Sequence, residues 1–306
     1  MMDALTRILE LARVRGALDL RCQLAGGFSM DHEDAGPGEA PFHLVLAGEG
    51  VIELPGRRTL PMRAGDLIIL PHGTTHRVRD SHGIHAEGPV SVDTSGPLTI
   101  KRTPGEGATL DLLCGRFMHA RDAGHLLFAS LPDVLQVSLV DHHGMATLEA
   151  IVNLFRVEVG ELAPGALAVV TALSQALLVF ALRAQLSGGH MPPSLLTLLA
   201  DPRLGRAMLA MLREPEREWT VESLAAQAAM SRATFARHFE ARGKQSPHEV
   251  LTLLRMHLAA EMLRKGDLTA AAVAERVGYR SESAFGKTFL RVMGNTPARF
   301  RRSGGV

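Results

Sequence analysis

The chain has 306 residues, with 33 Lys and Arg against 32 Asp and Glu and 46% apolar residues, which predicts about two domains with ordinary cores. Its two cysteines, Cys22 and Cys114, exclude a disulfide framework, and Asp3, Arg7, Glu10, Arg13 and Arg15 interrupt the start of the chain where a signal peptide needs an apolar centre, so a reducing cytosol is the expected compartment. The balanced charge hides an asymmetry: residues 201–306 carry 18 basic against 11 acidic side chains and residues 1–200 carry 15 against 21. A basic third on an acidic remainder is what a DNA reader joined to a non-DNA domain should show, because cationic side chains release counterions from phosphate.

In chain order, Met1 to Arg15 reads as a helix with Leu5, Ile8, Leu9 and Ala12 on one face, ended by Gly16. Leu18 to Leu24 alternates at period two and places Leu18, Leu20, Cys22 and Leu24 on one buried strand face. Phe42 to Leu46, Gly50 to Leu54, Asp66 to Leu70 and His76 to Arg79 follow as short strands between Gly and Pro residues, the spacing of an antiparallel sandwich or barrel. Asp80 to Glu106 reads as a long loop.

His43 lies among Phe42, Leu44 and Val45, an expensive place for imidazole unless it has a partner. In a barrel, Cys22, His43, His76 and Cys114 can converge as a metal site whose ligands favour zinc, or as a thiol pair tuned by histidine that answers an effector or oxidant. The alternative is hydrogen-bonded core histidines beside small buried cysteines. His32 with Glu33 and Asp34 reads as a solvated loop, as do His82 and His85, and His142-His143 as a turn.

Met145 to Val159 predicts an amphipathic helix burying Leu148, Ile151, Val152 and Phe155, and Pro164 opens a longer one that ends at Gly188-Gly189. Ala163 to Leu182 carries no charge over a bilayer-length stretch, but Thr171, Ser174, Gln175 and Gln185 gather on one side, so no membrane span is expected. Gly188 to Pro193 is the expected hinge, and Asp201 to Leu212 the first helix after it.

The last stretch contains one pattern twice. Ser231, Phe235, Arg237 and Phe239 recur fifty residues on as Ser281, Phe285, Lys287 and Phe289, and Leu224, Ala225, Ala228 and Met230 recur at forty-nine as Val273, Ala274, Val277 and Tyr279. Each copy is a short apolar helix, a tight bend and a second helix capped by Ser231 or Ser281, the helix-turn-helix pattern. Between them, Ser246-Pro247-His248-Glu249 is a capping box opening a helix of roughly 18 residues, about 27 Å long, enough to set two modules about one DNA turn apart.

Trp219-Thr220-Val221-Glu222-Ser223-Leu224-Ala225, Met230-Ser231-Arg232, Val277-Gly278-Tyr279 and Asn295-Thr296-Pro297-Ala298-Arg299-Phe300-Arg301 resemble the AraC/XylS family of bacterial transcription regulators. Gly65 to His76 resembles the second motif of the cupin family, whose closing histidine is a metal ligand, with Asp80 where Asn is usual. The first cupin motif is not matched: Pro41 stands at its ligand glutamate and no His-x-His pair precedes it. With Leu112-Leu113-Cys114-Gly115, Leu131-Pro132 and Asp201-Pro202-Arg203-Leu204-Gly205-Arg206-Ala207, the N-terminal half resembles the cupin-type sensor of one AraC branch.

The resemblance implies an α+β chain: a cupin-like antiparallel sensor over 1–140, linking and dimerising helices over 141–190, and an all-α DNA-binding domain with two helix-turn-helix modules over 191–306. Base-facing positions fall on Ala233, Ala236 and Arg237, with Arg237 expected on guanine, and on Glu282, Ser283, Ala284, Gly286 and Lys287; Arg232 and Arg280 are expected on phosphate. The implied partners are double-stranded DNA, a small effector, RNA polymerase if the chain activates, and a second copy of itself. The alternative function is a metal-dependent cupin enzyme with a vestigial DNA-binding tail.

Overall fold

The computed structural model describes residues 3–81, 90–96, 98–105, 109–120, 123–138, 146–161, 163–187 and 191–302. In chain order these form α1 (Ala4–Ala12), β1 (Arg15–Ala25), β2 (Ser29–His32), β3 (Glu39–Leu54), β4 (Arg58–Arg63), β5 (Asp66–Ile69), β6 (His76–Arg79), β7 (Ser91–Asp93), β8 (Thr99–Arg102), β9 (Thr109–Met118), α2 (Ala123–Phe128), β10 (Leu135–Ser138), α3 (Ala146–Glu161) and α4 (Ala166–Ser187). The remainder is helical: α5 (Leu195–Ala200), α6 (Leu204–Arg213), α7 (Val221–Gln227), α8 (Arg232–Gly243), α9 (Pro247–Lys265), α10 (Ala270–Arg276), α11 (Glu282–Met293) and α12 (Pro297–Arg302).

These elements fall into two units. One holds Val14–His119 and Leu131–Gly189; the other holds Met1–Arg13, Ala120–Ser130 and His190–Val306. Thus α1 and α2, which sequence alone assigns to the sensor domain, cluster with the C-terminal helices. The reason is packing with distant segments: α1 packs on α5 and α6, α2 packs on α5 and α9, Leu11 joins the C-terminal core, and Arg13 pairs with Glu261 at 2.8 Å.

The first unit is a curled β sheet forming a cupin-like half-barrel. Its main path runs β10-β5-β3-β9-β1-β8-β7, with β2, β4 and β6 joined beside β3. β3 is a single strand where the sequence suggests two: residues 39–48 pair with β9, residues 49–54 with β4, and 51–53 with β6. Gly48, at φ 79°, lets the strand turn from one wall of the curl to the other. The span read as a loop contains β7 and β8, and β8 pairs with β1 in parallel, the exception to otherwise antiparallel pairing among the described residues. The interior is filled by Cys22, Leu24, Phe28, Val45, Ile52, Ile68, Leu70, Val78, Leu110, Leu112 and Cys114.

Two further expectations change. Gly16 does not end α1; Arg13 does, in the left-handed conformation, while Gly16 lies in β1 where a Cβ would sit 2.5 Å from Ser174 Cβ. That close approach explains why Ser174, expected on the polar side of α4, is fully buried with its hydroxyl donating to the Val170 carbonyl at 2.8 Å. By length and composition α4 could cross a membrane, yet Val170, Leu177, Leu178, Ala181 and Leu182 are buried on one face and the helix packs on β1, β10 and α3. In α3, Ile151 and Phe155 are buried as expected; the side chains of Leu148 and Val152, together with His82, His85, His142, His143, Gly188 and Gly189, lie outside the described residues.

In the helical unit the repeat read from sequence is a repeat of structure. Exposure along 231–240 is reproduced residue for residue along 281–290, with Phe235, Phe239, Phe285 and Phe289 fully buried. Ser231, Ser246 and Ser281 cap α8, α9 and α11, and the Ser246–Glu249 capping box with Pro247 at the first helical position forms as the sequence dictates. At 19 residues, α9 is about 28 Å long.

The bend of each module needs a left-handed residue. The second module has Gly278 at φ 80°, whereas the first puts Ala229 there at φ 51°. A Cβ in that region costs about 1–2 kcal/mol. Ala229→Gly is therefore expected to stabilise the helical unit by about 1 kcal/mol after allowing for glycine's greater freedom when unfolded. Thermal denaturation of the full chain tests this; a lower midpoint would show that the bend is not strained.

Candidate functional site

The surface that the sequence expects to face DNA is built by α8 and α11. Their N-terminal turns are exposed because the phenylalanines one turn on take the buried stripe. Ala233 and Arg237 on α8, and Glu282, Ser283, Ala284 and Lys287 on α11, are exposed, while Ala236 and Gly286 are half-buried. Ser281 is exposed but occupied as a cap, accepting from the Ala284 amide at 3.1 Å. Arg232 pairs with Glu222 at 2.9 Å and Arg280 with Glu218, so both arginines expected on phosphate sit beside a carboxylate. Such exposed pairs contribute at most about 1 kcal/mol and are readily exchanged for a phosphate.

Sequence reasoning missed Arg255. Midway along α9, it donates to the Pro215 carbonyl at 2.7 Å and to the Arg217 carbonyl at 2.9 Å, and its guanidinium lies 5.9 Å from the Tyr279 ring. It thereby joins the lead-in of the first module to the bend of the second. Burial pulls its pKa down, and Tyr279, Glu216 and Glu218 oppose that. An isolated arginine among helix-forming residues gave no signal of this.

The second constellation lies inside the curled sheet. Antiparallel register places His43 on β3 directly opposite Cys114 on β9, and His43 Nδ1 is 3.2 Å from Cys114 Sγ. On its other side, His43 Nε2 is 2.7 Å from His76 Nε2, and His76 Nδ1 donates to the Thr74 carbonyl at 2.9 Å. Cys22 on β1 lies in the same buried cluster as Cys114, and Lys101 on β8 is in register with Cys22. All four sequence candidates, Cys22, His43, His76 and Cys114, are therefore brought into one chain of contacts.

They do not surround one point, however. His43 shows opposite ring nitrogens to His76 and to Cys114, and one ion cannot take both at once. The residue that completes a ligand group is His32, expected from sequence in a solvated loop. It closes β2, half-buried, directly opposite His76 on β6; the two rings stack at 4.6 Å with 3° between planes. His32, His43 and His76 each offer a nitrogen within 4.8 Å of the others. This group could bind a metal. The available signal was the alternation through Ser29-Met30-Asp31-His32, obscured by the charged and glycine-rich stretch that follows.

Burial sets the charge state of the cluster. It lowers His32 to about 4, drives the fully buried His43 well below the ordinary histidine range and lowers His76 despite the Thr74 carbonyl, so all three rings are neutral at pH 7. The neighbouring Cys114 thiol holds Cys22 below the usual thiol range, with Lys101 acting in the same direction. The neighbouring Cys22 thiol, with burial, pushes Cys114 well above it.

Both halves have relatives. A family described as Cupin matches residues 3–187, and one described as Helix-turn-helix domain matches residues 224–303. The chain is 32% identical over 302 residues to an uncharacterized HTH-type transcriptional regulator of Haemophilus influenzae, covering 99% of each protein. It is 32% identical to the RCS-specific HTH-type transcriptional activator RclR of Escherichia coli, covering 98% of this chain and 97% of that protein, and 31% identical to a putative AraC-like transcription regulator of Streptomyces lividans, covering 98% of each. The chain belongs to the AraC-type transcription regulators.

In this AraC-type regulator the cupin match reaches through α1, α2 and α4, so it includes segments that cluster with the DNA-reading helices. Only His76 stands where the cupin resemblance places a ligand; His32 and His43 come from strands outside that motif. The relatives' names are those of regulators, in keeping with the regulator rather than the enzyme reading.

Proposed function

We propose that this regulator reads a specific DNA site through α8 and α11, and that its response to an effector originates at the histidine–cysteine cluster of the cupin half. The observation that carries the first part is the paired surface: two helices whose exposure pattern is the same over 231–240 and 281–290, with an exposed cation, Arg237 or Lys287, at the equivalent position of each. Arg237 suits the O6/N7 edge of guanine, a contact worth ~1–3 kcal/mol of discrimination, while Arg232 and Arg280 serve phosphate. Zinc, another small effector or an oxidant would act at the cluster.

A homodimer is favoured by the exposed apolar side chains of α3 and α4: Leu154, Val157, Leu167 and Val169 are 40–49% exposed on neighbouring helices. A second copy covering them gives the self-complementary interface of a two-fold dimer. RclR is named an activator; control of the same sign here requires a contact with RNA polymerase, in the cytoplasm where the promoter lies.

Arg237→Ala and Lys287→Ala are each expected to abolish sequence-selective retardation of the upstream intergenic DNA while leaving the thermal midpoint within about a degree, since both side chains are exposed. Undiminished selective retardation by both variants would remove α8 and α11 as the reading helices.

A further inference from the structure

Three imidazoles from three strands converge inside the curl: His32 on β2, His43 on β3 and His76 on β6. Register explains part of this, because β2 and β6 place His32 opposite His76 and so stack their rings. His43 comes from the portion of β3 that pairs with β9 and β5, so the trio bridges the two walls of the curl.

Proton positions decide which nitrogens are free. His76 Nδ1 faces a carbonyl, which can only accept, so the proton is on Nδ1 and Nε2 is bare. His43 Nε2 stands 2.7 Å from that bare nitrogen. Two neutral arrangements satisfy the chain of contacts. In one, Cys114 donates to His43 Nδ1 and His43 Nε2–H donates to His76. In the other, His43 carries its proton on Nδ1, directed at the Cys114 sulfur, and the two Nε2 lone pairs face each other across a gap that only a cation can fill.

We propose that His32, His43 and His76 hold a first-row divalent cation of the zinc type through three neutral imidazoles, with water in the fourth position and Cys114 outside the coordination sphere as the hydrogen-bond partner that orients His43. Imidazole without carboxylate suits this class of ion. A metal-ligating histidine characteristically donates its other N–H to a fixed acceptor; Thr74 O receives it from His76 and Cys114 Sγ from His43. Nitrogens sharing one zinc stand about 3.3 Å apart, so the His43 and His76 rings need to part by less than about 1 Å. His32, half-buried, is the most solvent-accessible of the three rings. The proposal names the effector site within the regulator reading and rests on that reading only for its consequence on DNA.

The test uses the full chain, stripped with chelator and titrated with Co2+ and, separately, Zn2+. One Co2+ per chain is expected, with the visible absorption of a four-coordinate site and no near-ultraviolet sulfur-to-cobalt band. His32→Gln should abolish binding while far-ultraviolet circular dichroism shows an unchanged fold; Cys114→Ala should weaken it roughly tenfold and Cys114→Ser less. Zn2+ should raise the melting temperature of the wild type and leave His32→Gln unmoved. A sulfur-to-cobalt band, binding that survives His32→Gln, or no stoichiometric binding by folded protein overturns the proposal. Gel retardation in chelator separates the two readings: selective DNA binding that persists in a protein unable to take Co2+ leaves the regulator standing and removes the metal site.

Discussion

Arg255→Met is expected to cost about 2–3 kcal/mol of stability and to weaken binding to a full operator about tenfold while leaving binding to an isolated half-operator little changed. Methionine keeps the apolar stem of the side chain but gives up two charge-assisted hydrogen bonds to the Pro215 and Arg217 carbonyls, each worth about 1.5–3 kcal/mol before partial replacement by water. The effect on DNA has a different origin. Arg255 fixes the segment leading into α7 and faces Tyr279 at the bend before α11, so its loss frees one module to move against the other. Simultaneous engagement of two sites then costs ordering that the native protein has already completed on folding. Each module alone retains its own caps and core. The check is a pair of titrations against full and half operators: an equal loss on both would show Arg255 acting on general stability and not on the spacing of the readers.

Gly115→Ala is expected to destabilise the cupin half by about 3 kcal/mol, lowering its melting temperature by about 6–12 °C. The residue follows Cys114 on β9, where a Cβ would lie 2.4 Å from the Ala17 carbonyl oxygen on β1 and 2.6 Å from the Phe42 ring on β3. Phe42 is stacked against Phe117 at 4.7 Å and fully buried, so it has no open rotamer to move into, and the Ala17 clash is with backbone. The strain can be relieved only by separating β1 and β3 from β9, the three strands that carry Cys22, His43 and Cys114. Any Co2+ affinity is expected to fall with it. Differential scanning calorimetry of the full chain is the check, and an unchanged set of transitions would mean that the sheet tolerates the added methyl.

How much of this was legible in the sequence follows from the range of the forces involved. The helix-turn-helix pair could be read because everything it needs is local. Ser231 and Ser281 cap within one turn, Phe235 and Phe239 repeat at helical spacing, Pro247 and Gly266 bound α9, and the second copy restates the first. The period-two alternation of β1 and the run from Asp66 to Arg79 were likewise local, so the strands carrying Cys22 and His76 emerged near their true places. His43 was singled out because an imidazole in an apolar strand demands a partner.

What tertiary structure decided was partnership across the sheet. Whether His32 belonged to a loop or to a strand end depended on β6, some 44 residues on, whose register sets its ring on His76. Which nitrogen of His43 faces sulfur and which faces His76 depended on β9 and on the bend of β3 at Gly48, and this geometry breaks the expected Cys2His2 set into a histidine trio and a thiol pair. The same holds for α1, whose amphipathic face is plain in sequence but whose partners are helices of the C-terminal unit, and for α2, which the sequence analysis does not single out. Periodicity and capping are settled within a few residues of chain, so they are written in the sequence; the choice of partner for a buried face or a ring nitrogen is settled by register and packing between distant segments, which only the folded chain fixes.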